Sequence, residues 1–106
     1  MLDCHSFHDD MYYTDFPPAS FPDICIGVNG MVGAEAQFIV DTFQSAGYSV
    51  KVNEPFSGAL TPLKYLHDTR VISIMIELNR RIYDNASFAT VQNLCRKIYG
   101  YLCGEL

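Results

Sequence analysis

The sequence predicts one small α/β domain, in which a sheet of about four strands carries two main helices. A nearly continuous apolar run, Val71 to Glu77, has the Val and Ile content of a strand that is buried on both faces. Two longer segments repeat their apolar residues at helical spacing. Strands and helices follow one another as strand, strand, helix, strand, strand, helix, which is an α/β order. A chain of 106 residues supports a single core, so residues 1–106 are expected to form one domain.

Each predicted strand is short and ends at polar or turn-forming residues. The four predicted strands lie at residues 1–4, 23–28, 48–52 and 71–77. The turn signal Asn29-Gly30 closes the second strand. Polar or proline-containing loops are expected at residues 5–10, 11–22 and 53–64.

The two predicted helices each have one apolar face. The first extends from about Gly33 to Ala46, with Gly47 as a left-handed cap and a core face of Ala36, Ile39, Val40 and Phe43. The second begins after a cap at Asn85 or Ser87. Its core face is predicted to consist of Phe88, Val91, Leu94, Cys95, Ile98 and Leu102.

Composition argues against several classes of function. A net charge of −5 and a pI near 4.9 do not suit a nucleic-acid-binding protein, and the seven Lys and Arg residues form no stripe. No apolar run is long enough for a membrane span, and no signal peptide is recognisable. The four cysteines form no C-x-x-C pair, so we predict buried free thiols and a cytoplasmic location. These cysteines are Cys4, Cys25, Cys95 and Cys103.

Polar residues collect where predicted strands end, and we expect them to meet at one rim of the sheet. The three groups are Asp3/His5/His8/Asp9/Asp10, Asn53/Ser57 and Glu77/Arg80/Arg81. An imidazole beside a carboxylate is the usual start of a zinc site, although a catalytic zinc takes three protein ligands. Glu77 could then deprotonate water while Arg residues hold an anion. The alternative is that Glu77 pairs with Arg80 or Arg81 at the surface and that the His and Asp residues are solvated or act as caps.

Four segments of the chain resemble the C-terminal half of the N-formylglutamate amidohydrolases. They cover nearly the whole chain, in the family's order and at plausible spacing. The segments are Asp-Cys-His-Ser-Phe at 3–7, Pro-Asp-Ile-Cys-Ile-Gly at 22–27, Gly-Tyr-Ser-Val-Lys-Val-Asn-Glu-Pro-Phe-Ser-Gly at 47–58 and Ser-Ile-Met-Ile-Glu-Leu-Asn-Arg-Arg-Ile-Tyr at 73–83.

That family hydrolyses the formamide bond of N-formyl-L-glutamate in histidine breakdown, and its fold is similar to that of the zinc carboxypeptidases. The resemblance implies a truncated phosphorylase/hydrolase-like domain of three-layer type, with the sheet between helices. It implies zinc as cofactor, with His5 as a metal ligand and Glu77 as the general base. The substrate would be a small acidic N-acyl amino acid, contacted by Asn53, Ser57, Arg80 and Arg81.

The chain also departs from the family pattern. The family's metal site takes a further His and an acidic ligand from a region ahead of the 3–7 segment, and we expect that region to be missing. Substitutes within the chain would have to come from His8, Asp9, Asp10, His67 or Asp68. Two functions therefore stay open: a metal-dependent amidohydrolase, or a catalytically inactive truncated homologue that acts as a self-associating or partner-binding module.

Self-association is expected on physical grounds. The strand at residues 1–4 would lie at or near an exposed edge of the sheet, and apolar faces would be uncovered beside it. Proteins usually hide such edges and faces by association. We therefore predict a homo-oligomer, in which edge strands pair across a two-fold axis.

Overall fold

The computed structural model describes residues 1–8, 21–83 and 87–104. These residues form a four-stranded mixed sheet and two α-helices, as an α/β domain. The strands are β1 (Leu2–Phe7), β2 (Ile24–Val28), β3 (Val50–Val52) and β4 (Ile74–Asn79), and the helices are α1 (Ala34–Ser45) and α2 (Phe88–Leu102). Short 3₁₀ helices occupy Leu63–Tyr65 and Arg80–Ile82.

The strands are arranged in the order β1-β4-β2-β3, so β1 is an outer strand, as predicted. β1 is parallel to β4, and β2 is parallel to β3, but β2 and β4 are antiparallel. The carboxyl ends of β1 and β4 therefore point in one direction, while those of β2 and β3 point in the other.

Two strands differ from their predicted limits. β1 continues through His5 to Phe7, although these residues were predicted to be a loop, because each of them pairs with a residue of β4. An outer strand tolerates polar residues such as His5 and Ser6, since one of its sides faces solvent. β4 begins at Ile74 instead of Val71, because β1 and β2 have no strand residues beyond those opposite Ile74. It also continues past Glu77, which therefore lies inside the strand.

The core lies between the sheet and the helices. Ile24, Ile26 and Val28 of β2 alternate onto the same face as Ile74 and Ile76 of β4. α1 covers this face with the predicted residues Ala36, Ile39, Val40 and Phe43, all of which are buried. Gly47 follows α1 at φ 94°, which confirms the predicted left-handed cap.

The second helix packs against the same core through Val91 and Ile98, which are buried. Leu94, Cys95 and Leu102 are half-buried, whereas Phe88 is 55% exposed and does not belong to the predicted core face. Ser87 precedes the helix but makes no side-chain capping hydrogen bond. The other predicted cap, Asn85, lies outside the described residues.

Both described helices lie on one face of the sheet, so the described residues form two layers and not the predicted three. Loops and aromatic side chains cover the opposite face. Phe7 is buried there, edge-on against Phe21 and Phe56 at ring distances of 5.9 and 5.7 Å. No helix in the described ranges is long and apolar enough to cross a membrane.

The prediction of buried thiols is correct for Cys25 but wrong for Cys4 and Cys103. All four cysteines are free, yet Cys4 and Cys103 are exposed and Cys95 is intermediate. Cys4 is exposed because β1 is an outer strand, and Cys103 because it follows the end of α2.

Candidate functional site

The candidate site lies on the face of the sheet that is turned away from the helices. Side chains alternate along a strand, so residues two apart in sequence share a face. Pairing then places His5 of β1 beside Glu77 of β4, and Glu77 beside Cys25 of β2, in a single row across three strands. The sequence thus brings an imidazole, a carboxylate and a thiol together.

His5 is held by a carboxylate from its own strand. His5 Nε2 and Asp3 Oδ1 are 2.7 Å apart, because the two residues are two positions apart on β1. The His5 side chain is 48% exposed and that of Asp3 24% exposed. A carboxylate that binds one ring nitrogen fixes the orientation of the imidazole and leaves the other nitrogen available.

Glu77 is the buried acid of the row, with only 8% of the residue exposed. Its Oε2 atom is buried and accepts no hydrogen bond from the residues that the structure describes. Burial raises the pKa of the Glu77 carboxyl, nearby His5 opposes that shift, and the charge of Asp3 adds to it. A buried carboxylate oxygen without a donor costs stability, so its presence points to a functional role.

A loop at residues 53–58 covers the same face over β2. Cys25 Sγ donates a hydrogen bond to the carbonyl oxygen of Phe56 at 3.3 Å, and burial raises the pKa of the Cys25 thiol. Gly27 has no room for a side chain, because a Cβ atom there would collide with the carbonyl oxygen of Gly58 and with Met75. The backbone of the loop therefore lies directly against β2.

Asn53 anchors this loop. It has the left-handed φ of 59°, and its Oδ1 accepts hydrogen bonds from Val28 N at 2.9 Å and from Gly58 N at 3.1 Å. The backbone nitrogen of Asn53 donates a hydrogen bond to Ile26 O at 2.8 Å. Ser57, by contrast, is exposed.

The prediction that the three polar groups meet at one rim of the sheet is wrong for Asn53 and Ser57. Because β2 and β3 are antiparallel to β4, the end of β3 lies near Val28, which pairs with Ile74 at the start of β4. The loop reaches Cys25, and so the neighbourhood of Glu77, by crossing the face of the sheet.

The two arginines that follow β4 have different surroundings. Arg80 Nη1 donates to His8 Nε2 at 2.6 Å, and its Nε donates to Ser6 Oγ at 3.3 Å, so Arg80 lies at the carboxyl end of β1. Arg81 forms an ion pair with Asp23 at 2.9 Å and donates to the carbonyl oxygen of Phe21 at 3.0 Å. Within the described residues, neither arginine donates to the buried Oε2 atom of Glu77, which argues against the alternative of a surface ion pair.

Comparison with known families adds to this geometry. The sequence model of the family described as N-formylglutamate amidohydrolase matches residues 1–84, which include all of β1 to β4. The chain belongs to the N-formylglutamate amidohydrolase family. Comparison with curated proteins and with solved structures gave no match.

A complete metal site for an N-formylglutamate amidohydrolase is not assembled within the described residues. They contain no group of three or more His, Cys, Asp or Glu side chains that could hold a metal ion. His8 contacts Arg80, and Asp68 forms an ion pair with Arg70 at 2.7 Å, while Asp9 and Asp10 lie outside the described residues. His5 has the carboxylate of Asp3 beside it, and a carboxylate in this position can orient a metal-binding imidazole or bind the metal ion itself.

Asp3 was predicted only as a member of the first polar group, and Cys25 only as a buried thiol. Asp3 stands two positions before His5, a spacing that places both on one face as soon as β1 is recognised to extend beyond Cys4. Cys25 is paired with Glu77 by the antiparallel contact of β2 and β4, and the sequence pattern carries no signal for that contact.

Proposed function

We propose that this chain hydrolyses the amide bond of an N-acyl amino acid, with a formyl group as the acyl group, and that Glu77 is its general base. Family membership supports the reaction class. The observation that carries the assignment of Glu77 is its buried, unpartnered Oε2 beside the exposed imidazole of His5. A reaction of this kind needs water delivered to a planar carbonyl carbon, and a carboxylate with a free oxygen can accept the proton from that water.

The environment of Glu77 suits a base. Burial raises its pKa, so the carboxylate holds a proton more readily than an exposed glutamate does. The neighbouring His5 acts in the opposite direction and limits the rise in the pKa of Glu77.

Substrate binding is assigned mainly to Arg80. Arg80 is exposed and lies where β1 and β4 end. A guanidinium group binds a carboxylate through two parallel hydrogen bonds. A small acidic N-acyl amino acid supplies such a carboxylate. Arg81 supports the site from its ion pair with Asp23, while Asn53 holds the loop that presents Ser57 to the substrate.

Zinc is part of the proposal, with His5 as the ligand that the described residues supply. A bound zinc ion would polarise the amide carbonyl and lower the pKa of water. The described residues of one chain provide only part of a zinc ligand set. The roles proposed for Glu77 and Arg80 are therefore argued from the surroundings of these two side chains and not from a metal ion. The same proposal includes a zinc-carboxypeptidase-like origin of the fold, a place in histidine degradation and a cytoplasmic location, the last supported by four free thiols.

The experiment that tests the proposal is an assay of formate release from N-formyl-glutamate and other N-formyl amino acids, with and without added zinc. We expect turnover by the native chain and loss of about 10²-fold or more in Glu77→Gln, which keeps the shape but cannot accept the proton. Glu35→Gln is the matched control, since Glu35 lies in the first turn of α1. Circular dichroism checks that both variants fold. A folded Glu77→Gln variant with full activity would refute the assignment of the base.

A second function, a catalytically inactive module that associates with itself or with a partner, is favoured by the outer edge of β1, which pairs with no other strand that the structure describes. The same assay separates the two functions. A folded native chain that releases no formate at any zinc concentration would favour the module.

A further inference from the structure

The outer strand of the sheet has one side without a partner among the described residues. β1 pairs with β4 on its inner side only, and its central residues Cys4, His5 and Ser6 are exposed. An open strand edge presents a row of backbone donors and acceptors to another strand. Edges of this kind are completed by pairing with a second chain.

The backbone groups that face outward can be identified from the pairing with β4. Met1 O accepts a hydrogen bond from Ile74 N at 2.9 Å, so the backbone of Met1 faces β4. Because alternate residues of a strand bond to the same neighbour, Asp3, His5 and Phe7 also face β4. Leu2, Cys4 and Ser6 therefore direct their amide and carbonyl groups away from the sheet.

These outward groups restrict how two copies could pair. In an antiparallel pair, outward-facing residues must lie opposite one another, so the two-fold axis has to pass through a residue and not between two residues. An axis at Cys4 sets all three outward residues of β1 opposite outward residues of the partner, and an axis at His5 is the neighbouring alternative. With the axis at Cys4, Leu2 lies opposite the partner's Ser6 and Asp3 lies opposite the partner's His5. With the axis at His5, the two imidazoles lie opposite one another and Asp3 lies opposite the partner's Phe7. The first register is favoured, because only there do all three outward residues lie opposite outward residues of the partner's β1, and because it sets each Asp3 carboxylate opposite an imidazole that can donate a hydrogen bond to it.

We infer that a second copy of this chain pairs with β1 antiparallel about Cys4, and that the pair builds a two-fold metal site from Asp3 and His5 of both copies. Residues opposite one another in such a pair have Cβ atoms about 4.5–5.5 Å apart. All four side chains lie on the face that carries Glu77, since Asp3 and His5 share the face of Glu77 through their register with β4. Two imidazoles and two carboxylates make a four-ligand set that suits a divalent ion such as zinc.

The contact between His5 and Asp3 already prepares this site. Their donor atoms are 2.7 Å apart in the single chain, so a metal ion would replace the proton between them. The described part of one chain holds no group of three such ligands, whereas the pair supplies four. Glu77 lies beside His5 in each copy, so each base would adjoin the shared ion.

The pairing is expected to depend on the metal. Each chain has a net charge of −5, so two metal-free copies repel one another. A contact made mainly by one strand from each copy is also smaller than the roughly 1,200–2,000 Å² that a stable interface buries. A bound divalent cation reduces the repulsion and links the copies. If zinc binds only the dimer and is present at 100 times its dissociation constant from that dimer, it lowers the dissociation constant of the dimer by about 100-fold.

The first test measures mass and metal together. Sedimentation of the full chain in chelator and in zinc should give a monomer and a dimer, with one zinc per two chains by elemental analysis. His5→Ala and Asp3→Asn should each lose the zinc-induced dimer. His67→Ala is the matched control, since His67 is an exposed imidazole outside β1 and should keep it. One zinc per monomer, or dimers of His5→Ala that form as before, would overturn the inference.

The second test locates the axis. Cys4 would face the partner's Cys4 across it, with Cα atoms about 5.5 Å apart, so a short bis-maleimide should join the two thiols in zinc and not in chelator. Cys4→Ser should abolish the cross-link, whereas Cys103→Ser should leave it unchanged, although Cys103 is equally free and exposed. Zinc-dependent cross-links that survive in Cys4→Ser would overturn the register. Neither test uses a substrate, so the inference can fail or hold independently of hydrolysis.

Discussion

Replacing Gly27 with alanine should lift the loop at residues 53–58 from the sheet. A Cβ atom at this position would lie 2.6 Å from Met75 Cε and 3.0 Å from Met75 Cβ, and nearer still to the carbonyl oxygen of Gly58. The methionine tip can move, but the loop carbonyl belongs to the backbone, so the loop itself has to shift. Overpacking of this kind costs about 1–3 kcal/mol, and a collision with backbone favours the upper value. In a domain of this size, about 3 kcal/mol corresponds to a melting temperature lowered by roughly 12 °C or more.

Two measurements check this prediction. Thermal unfolding gives the stability, and the rate of thiol modification reports the position of the loop, because Cys25 is fully buried and bonds to Phe56 O. Gly33→Ala is the control, since a Cβ there meets nothing closer than Glu35 Oε2 at 3.5 Å, and it should cost only about 1 kcal/mol. We expect faster modification of Cys25 in Gly27→Ala alone. If the two variants are equally stable and equally slow to react, the loop does not rest on β2.

Three further predictions concern stability. Burial raises the pKa of Glu77 in the folded state, so folding favours the protonated acid. The stability that the protonated acid contributes is lost as the pH rises from about 4.5 through the raised pKa. Denaturant unfolding should therefore show Glu77→Gln gaining stability over the native chain as pH rises, and a constant difference would contradict this. Asn53→Ala removes the acceptor of two backbone hydrogen bonds and should cost about 1–3 kcal/mol in the same measurement. Ile98 is 1% exposed, so Ile98→Ala should lower the free energy of unfolding by about 2–5 kcal/mol. Phe88 is 55% exposed, so Phe88→Ala should lower it clearly less if the core lies on the Ile98 side of the helix.

Local patterns were enough to predict the helices and the identity of the strands. The apolar face of α1 was predicted residue by residue, because helical spacing alone determines which residues point together. The left-handed cap at Gly47 follows from local backbone chemistry in the same way. The predicted face of α2 failed only at Phe88, in the first turn of the helix, where its side chain is exposed.

Pairing between distant strands was not predictable from the same patterns. His5 and Ser6 have the polarity of a loop, and only their ladder with β4 makes them part of a strand. The antiparallel contact of β2 and β4 joins residues about 50 positions apart, and alternation within either strand does not reveal its direction. For this reason Asn53 was assigned to the wrong end of the sheet. His5 and Glu77 were chosen as partners in the site, and the structure places them side by side.

The mixed sheet explains why the candidate site lies on a face and not at a rim. In a sheet of parallel strands, the carboxyl ends meet and functional groups gather beyond them. In this chain β2 runs against β4, so the carboxyl ends of β1 and β4, where Arg80 lies, are at the opposite edge from those of β2 and β3. The acid, the imidazole and the thiol come instead from the middle of three neighbouring strands, where backbone pairing fixes their spacing. A carboxylate placed there is buried by the sheet itself, which raises the pKa of Glu77 without requiring a deep cleft.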